Sequence, residues 1–254
     1  MYDQLVSIII PTKNRLQMLT RSINSALAQT YKQIEIIIVD DSENGTAIKV
    51  FENYSDQRIK YYKNIRAGAN AARNYGVEKS KGIFITFLDD DDEYHANKVE
   101  VQFEKYTEAQ NYNKAEVIIY GGLSTITLKG DVISYSPKYE GNICNYFLIY
   151  NFASMITLFM KKETYLKVGG MDESLEAGQE WDLNIRLSLK YNYYSVASPI
   201  VTVYRHDNNR DIELGKAKYH KILKSIRLKY KHEWTFYTHM LNMLYKIKKI
   251  YRSS

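Results

Sequence analysis

The chain has 254 residues, 45% of them apolar and 25% charged, with 12 glycines and 3 prolines, a globular composition that excludes disorder and low-complexity repeats. The length suits one large α/β domain with an appendage. A single cysteine, Cys144, excludes an internal disulfide framework and fits a reducing cytoplasm, while a net charge of +6 gathered toward the C-terminus suggests an acidic site joined to a basic tail.

Residues 1–4 carry no basic-then-apolar pattern, so no secretory signal is expected. Residues 6–10 and 34–39 are β-branched runs too apolar for a half-exposed sheet, and Leu16, Leu19, Ile23 and Leu27 recur between them at helical spacing. This predicts a β-α-β unit with parallel strands. A strand over 58–62, an alanine-rich helix over 69–79 and a strand over 83–88 continue the alternation. The expectation is an α/β protein with a mostly parallel, doubly wound sheet and helices on both faces.

A helix over 97–109 follows, then strands over 117–120, 124–128, 132–135 and 155–160, with a turn at 129–131. Residues 141–160 are uncharged, but Asn142, Asn145, Asn151, Ser154 and Thr157 interrupt them, so a buried helix and then a strand is expected rather than a membrane span. A helix over 180–191 and strands over 194–196 and 200–204 complete the domain. From Lys216 two amphipathic basic helices are expected: Tyr219, Ile222, Leu223, Ile226 and Tyr230 share one face of the first, and Tyr237, Met240, Leu241, Leu244, Ile247 and Tyr251 repeat the spacing in the second.

Asp89, Asp90, Asp91 and Asp92 stand where the fourth predicted strand ends. Open α/β sheets bind ligands at that end of their strands, and crowded carboxylates repel one another unless a cation joins them. Hard oxygen ligands suit Mg²⁺ or Mn²⁺. The alternative is a solvated loop or helix cap. An EF-hand loop fails because Tyr94 stands where its glycine is needed and a strand precedes it.

Several segments together resemble glycosyltransferase family 2, the inverting nucleotide-sugar transferases of the GT-A fold. They are Val6-Ser-Ile-Ile-Ile-Pro-Thr-Lys-Asn-Arg15, Ile38-Val-Asp-Asp-Ser42, Gly68-Ala-Asn-Ala-Ala-Arg-Asn-Tyr-Gly76, Phe87-Leu-Asp-Asp-Asp-Asp92, and Gly169-Gly-Met-Asp-Glu173 followed by Gln179-Glu-Trp-Asp-Leu183. The resemblance runs from about residue 6 to 207 and divides the chain into a domain over 1–214, with a nucleotide-binding half to 95 and an acceptor half from 96, and a tail over 215–254.

The resemblance implies a metal-dependent transfer from a UDP-sugar donor to a glycan or lipid-linked glycan in surface-polysaccharide synthesis. Asp91 would be the main ligand for Mn²⁺ or Mg²⁺, Asp89 would lie near the donor ribose or the metal, Asp90 would take the variable middle place, and Asp92 would cap the next helix. His206 would join the metal site as the polar segment 208–211 closes. Pro11, Thr12, Asn14 and Arg15 would touch the nucleotide, Asp41 or Asp40 would accept from the uracil imide, and Arg73, ahead of Arg66, would lie beside the donor. Glu180 stands where the family often has an aspartate as catalytic base and is one methylene longer. Trp181 would pack and also floor the acceptor site, while Asp172 and Glu173 would fix a turn.

Structural roles compete with several of these: Thr12 or Asn14 as helix caps, Arg73 as a solvated cation, and Glu180 or Asp182 as a charge at a helix N-terminus. The tail would pack on the domain or a second subunit, or attach peripherally to the inner face of the plasma membrane. Nucleic-acid binding is disfavoured because lysine and tyrosine segregate to different helix faces. The remaining rivals are a haloacid dehalogenase-type phosphohydrolase and a non-catalytic sugar-nucleotide scaffold.

Overall fold

The computed structural model describes residues 4–205 and 216–253. The strands are β1 (Val6–Thr12), β2 (Ile34–Asp40), β3 (Ile59–Lys63), β4 (Phe84–Phe87), β5 (Glu93–Tyr94), β6 (Val117–Ile126), β7 (Val132–Tyr135), β8 (Phe159–Lys161) and β9 (Asn192–Tyr204). They form one sheet in the order β3-β2-β1-β4-β8-β6-β9-β5, with β7 paired to β6. The helices are α1 (Leu16–Leu27), α2 (Ile48–Phe51), α3 (Ala69–Lys79), α4 (Lys98–Tyr112), α5 (Cys144–Phe147), α6 (Lys162–Lys167), α7 (Gln179–Ser188), α8 (Lys216–Lys229) and α9 (Phe236–Ser253).

β1, β2 and β4 are buried throughout because helices cover both faces, which is why their sequences are apolar without alternation. The pleat sends Ile8 and Ile10 to one core with Leu19, Ile23, Val99 and Phe103, and sends Ile9 to the other with Ala72, Val77, Trp181 and Leu183. β3, β2, β1 and β4 are mutually parallel as expected. β8 then runs antiparallel to both β4 and β6, so the second half of the sheet is mixed. Strand direction has no signature in hydrophobic periodicity, so the sequence could not show this reversal.

The strands expected over 117–120 and 124–128 are one continuous β6, and those over 194–196 and 200–204 are one β9. Their pairing shifts register at Gly121 and Gly122, opposite Val196 to Val201. Glycine and proline there mimic a break in the sequence, whereas in the fold they form an irregularity within paired strands. Residues 155–157 form a 3₁₀ turn ahead of β8. No described helix is long and apolar enough to cross a membrane.

Of the tail, α8 packs on the domain: Ile226 and Tyr230 are buried in the cluster that holds Phe147 and Trp181, with Ile222 and Leu223 against it. Its last residues close on α7, where the fully buried Asp182 carboxylate accepts from Lys229 Nζ (2.7 Å), Tyr230 Oη (2.7 Å) and Arg186 Nε (2.8 Å).

Candidate active site

β1, β2 and β4 end at the same edge of the sheet, and their last residues lead into the site. At the end of β1, Thr12 Oγ1 donates to Asp90 Oδ2 (2.7 Å) and Lys13 N to the same oxygen (3.4 Å). Asn14 adopts the left-handed conformation (φ 58°), which asparagine tolerates better than most residues, and brings Arg15 round to the acidic run. Arg15 Nη1 donates to Asp90 Oδ1 (3.2 Å) and Asp91 Oδ2 (2.7 Å). Thr12 and Asn14 therefore do not cap α1, whose N-terminus has no side-chain cap. Pro11 is buried in β1 opposite Val39.

At the end of β2 the paired aspartates diverge. Asp40 is fully buried, and its carboxylate accepts from Ser42 N (2.9 Å), Ala47 N (2.8 Å) and Tyr61 Oη (3.1 Å), which holds the turn into α2. Asp41 accepts from Asn64 Nδ2 (2.7 Å) and Gly68 N (2.9 Å) on one oxygen and from the exposed Lys13 Nζ (3.3 Å) on the other. Gly68 supplies that N–H at φ 107°, a backbone conformation that side-chain-bearing residues rarely adopt.

α3 follows Gly68 and lies close to the sheet because Gly76 faces Ile9; a Cβ on Gly76 would meet Ile9 Cγ2 at 2.5 Å. That approach buries Arg73, whose Nη2 donates to Asp89 Oδ1 (2.5 Å). Its buried Nε has no acceptor. Arg73 is thus not a solvated cation. Arg66 pairs instead with Glu78 and Glu173, away from the aspartates.

Carboxylate oxygens of Asp89, Asp91 and Asp92 lie within 4.8 Å of one another. The backbone that carries them is fixed by α1: Ser22 Oγ donates to the carbonyls of Asp89 (3.1 Å) and Asp92 (2.7 Å), and Arg21 Nη2 to that of Asp91 (2.6 Å). Burial, with repulsion from Asp89 and Asp91, pushes the Asp92 carboxyl up to about 9. Burial also raises Asp90, to about 6, against the pull of its Thr12 hydrogen bond and Arg15. Crowded hard oxygens, one of them reluctant to ionise without a countercharge, fit a divalent cation.

Asp92 belongs to this group, contrary to its expected role as a helix cap. α4 begins at Lys98, after β5, and the Asp92 carboxylate accepts from Tyr204 N (3.2 Å). Asp90, by contrast, is turned toward the β1 loop. His206 and residues 208–211 lie outside the described residues.

Glu180 occupies the first turn of α7, just after Gly178, whose φ is 71°. It lines a cleft of about 440 Å³ together with Tyr120, Tyr135, Tyr139, Tyr150 and Phe152. Burial works against the Arg73 charge, but Asp89 first and Glu180 next are close enough to outweigh it and leave the guanidinium more basic than usual. Glu180 thus lines the cleft and is within electrostatic reach of Arg73. Asp182, two residues on, points away into its contacts with α8.

Trp181 does not line the cleft. It is buried, donates from Nε1 to the Phe147 carbonyl (2.5 Å) and lies beneath Arg227. The aromatic surface comes instead from Tyr139, Tyr150 and Phe152, in the loosely patterned middle of the chain where sequence periodicity gave no lead. Asp172 holds its turn as expected, accepting from Ser174 N (3.0 Å) and Oγ (2.6 Å).

An acidic cluster at the strand ends, a buried arginine beside it and a carboxylate at a neighbouring aromatic cleft stand at the edge where open α/β sheets bind ligands. Residues 7–162 match Glycosyl transferase family 2, and the chain belongs to that family. It is 36% identical over 190 residues, 72% of its own length, to an uncharacterized glycosyltransferase of Rickettsia conorii. It spans 31% of that protein and 58% of a similar Rickettsia typhi protein. It is also 47% identical over 104 residues, covering 40% of this chain and 41% of the other, to Escherichia coli WfgD, named as a UDP-Glc:alpha-D-GlcNAc-diphosphoundecaprenol beta-1,3-glucosyltransferase. The GT-A fold is shared with S. aureus TarS 1–349 in complex with UDP-GlcNAc, at a TM-score of 0.68 and 16% identity over 87% of this chain and 65% of that one.

Proposed function

We propose that this chain is a metal-dependent inverting glycosyltransferase that moves a sugar from a UDP-sugar donor to a hydroxyl of a glycan or lipid-linked glycan in surface-polysaccharide synthesis. The observation that carries this reading is the position of Glu180, which lines an aromatic cleft large enough for a sugar ring and is within electrostatic reach of Arg73. Aromatic faces suit the apolar faces of sugars, and WfgD's lipid-diphosphate acceptor supports the lipid-linked choice.

Asp89, Asp91 and Asp92 would hold Mn²⁺ or Mg²⁺, with His206 the further nominee. The bound ion supplies charge neutralisation for a departing diphosphate. Arg73 offers its guanidinium to the donor phosphates, and the β1 loop from Pro11 to Arg15, with Asp41, borders the nucleotide. Asp40 and Asp90 act by shaping those loops. Glu180 takes the proton from the acceptor hydroxyl as that oxygen bonds to the anomeric carbon. The bond from that carbon to the diphosphate breaks on the opposite face with its electron pair, which inverts the centre.

On this reading residues 1–214 carry catalysis, in a nucleotide half to 95 and an acceptor half beyond it, and 215–254 add the basic helices. The setting is cytoplasmic, with peripheral contact at the inner membrane face. α8 is already covered by the domain, which leaves α9 to make that contact.

Donor binding followed by thermal shift with Mn²⁺ present, together with sugar transfer, tests the assignment. Asp91→Ala is expected to abolish metal-supported donor binding. Glu180→Gln is expected to leave donor binding intact and to lower kcat by about 10²–10⁴-fold. Full activity in either variant contradicts its role, and donor binding without transfer to any acceptor would favour a scaffold.

A further inference from the structure

Large apolar side chains are exposed singly over most of the described surface, but they gather in two places. The first is α9. Its inner face is docked: Thr238 is buried and donates to Asn145 Oδ1 (2.5 Å), and Tyr245 stacks on Tyr150 with ring centroids 4.9 Å apart. Its outer arc is Phe236, Met240, Met243 and Leu244, one helical face, with Phe236 87% and Met243 57% exposed. A helix docked by one face ordinarily turns polar groups outward, and this one does not. The second place is the β6–β7 hairpin, where Leu128, Val132, Ile133 and Tyr135 are exposed.

The hairpin reaches the cleft directly, since Tyr135 lines it alongside Glu180, and α9 flanks it, since Tyr245 on its docked face stacks on Tyr150, which lines the cleft as well. The surroundings of α9 are basic. From 216 to 252 Glu233 is the sole acidic residue, and Lys221, Lys224, Lys231 and Lys246 are exposed. Apolar anchors beside excess positive charge complement an anionic lipid surface, whereas a second copy of this chain would set like charges against one another.

The geometry points to an anionic phospholipid bilayer as the occupant of the outer face of α9, with the β6–β7 hairpin as a second contact bordering the same cleft. The cleft then opens at the membrane, and a lipid-linked saccharide reaches Glu180 while its lipid stays in the bilayer. This last step rests on the lipid-linked acceptor proposed above; the bilayer contact itself does not.

Flotation with vesicles of phosphatidylcholine plus phosphatidylglycerol, against phosphatidylcholine alone, tests the contact. The wild type is expected to float with the anionic vesicles only. Phe236→Ser with Met243→Ser, and separately Lys221→Glu with Lys246→Glu, are expected to weaken that binding about tenfold or more without changing the melting temperature. Val132→Ser with Ile133→Ser is expected to weaken it less.

In the same variants, transfer to a vesicle-embedded polyprenyl-diphosphate saccharide should fall in parallel, while transfer to a short-chain water-soluble analogue should stay at the wild-type rate. Absent flotation of the wild type, unchanged flotation of the α9 variants, or a dimer in gel filtration that the Phe236 and Met243 substitutions dissociate would overturn the proposal. Failure to transfer to any acceptor would count against the enzymatic reading alone, because flotation needs no turnover.

Discussion

Asp90 and Asp92 are two residues apart in one acidic run, yet Asp90 binds Thr12, Lys13 and Arg15 while Asp92 faces Asp89 and Asp91. Which way each of the four carboxylates points depends on a tight turn and on α1, which lies about 70 residues earlier in the chain but bonds directly to the carbonyls of the run. Asp40 and Asp41 likewise diverge. The family resemblance singles out Glu180 and Arg73, and the small residues around Arg73 also point to the close approach that buries it. The aromatic wall of the cleft was not legible in the sequence, because Tyr139, Tyr150 and Phe152 sit in segments without a repeating pattern.

Two predictions belong at this scale. Lys98, the first residue of α4, is fully buried; its ammonium donates to Thr86 Oγ1 and lies 4.1 Å from the Tyr94 ring centroid. Burial pushes its pKa well below the ordinary 10.5. Between the depressed native value and 10.5 the unfolded chain binds a proton more tightly than the native one, so this group makes stability rise with pH. Lys98→Met should flatten that slope and stabilise the protein at neutral pH, as read from urea midpoints across pH. Asp182→Ala, which removes the buried acceptor shared by Lys229, Tyr230 and Arg186, should destabilise by about 3 kcal/mol in the same assay.

At the scale of elements, α1, α3 and β1 to β4 follow directly from periodicity, since each is long enough, or buried enough, to carry a pattern. Gly121, Gly122 and Pro199 interrupt the apolar pattern of β6 and β9, although pairing continues past the irregularity. β5 has only two residues and left no signal. α3 offers a test in which two effects oppose each other. Alanine is the better helix former by about 1 kcal/mol at an interior position such as Gly76. Its Cβ would nonetheless lie 2.5 Å from Ile9, a fully buried residue with no room to move. Overpacking should win, so Gly76→Ala is expected to lower stability by about 1–3 kcal/mol in denaturant titration.

For the whole molecule, the tail helices separate by how they are held. Deleting 236–254 removes a helix with one docked face and should move the melting temperature little. Deleting from 216 also takes Ile226 and Tyr230 out of the core and leaves Asp182 without two of its partners, so a much larger loss is expected. Comparison of the two truncations by thermal denaturation checks the difference. The sequence made both helices visible but not their unequal attachment, because amphipathicity shows that a helix has a face to bury and not what will cover it.

Between the parallel and mixed parts of the sheet, β8 meets β4 over three residue pairs and β6 over one, at Ile119 and Phe159. The join is reinforced by rings: Phe84 stacks on Phe159 at 4.9 Å, with Tyr106 and Phe103 edge-on around Phe84. Strand pairing is thin here, yet the same two cores run under both flanks: Ile8 of β1 packs with Val117 of β6, and Ile9 with Tyr120, which also lines the cleft. Shared packing rather than the ladder couples the two flanks, so a change of volume at Tyr120 is transmitted into the core beneath the aspartates.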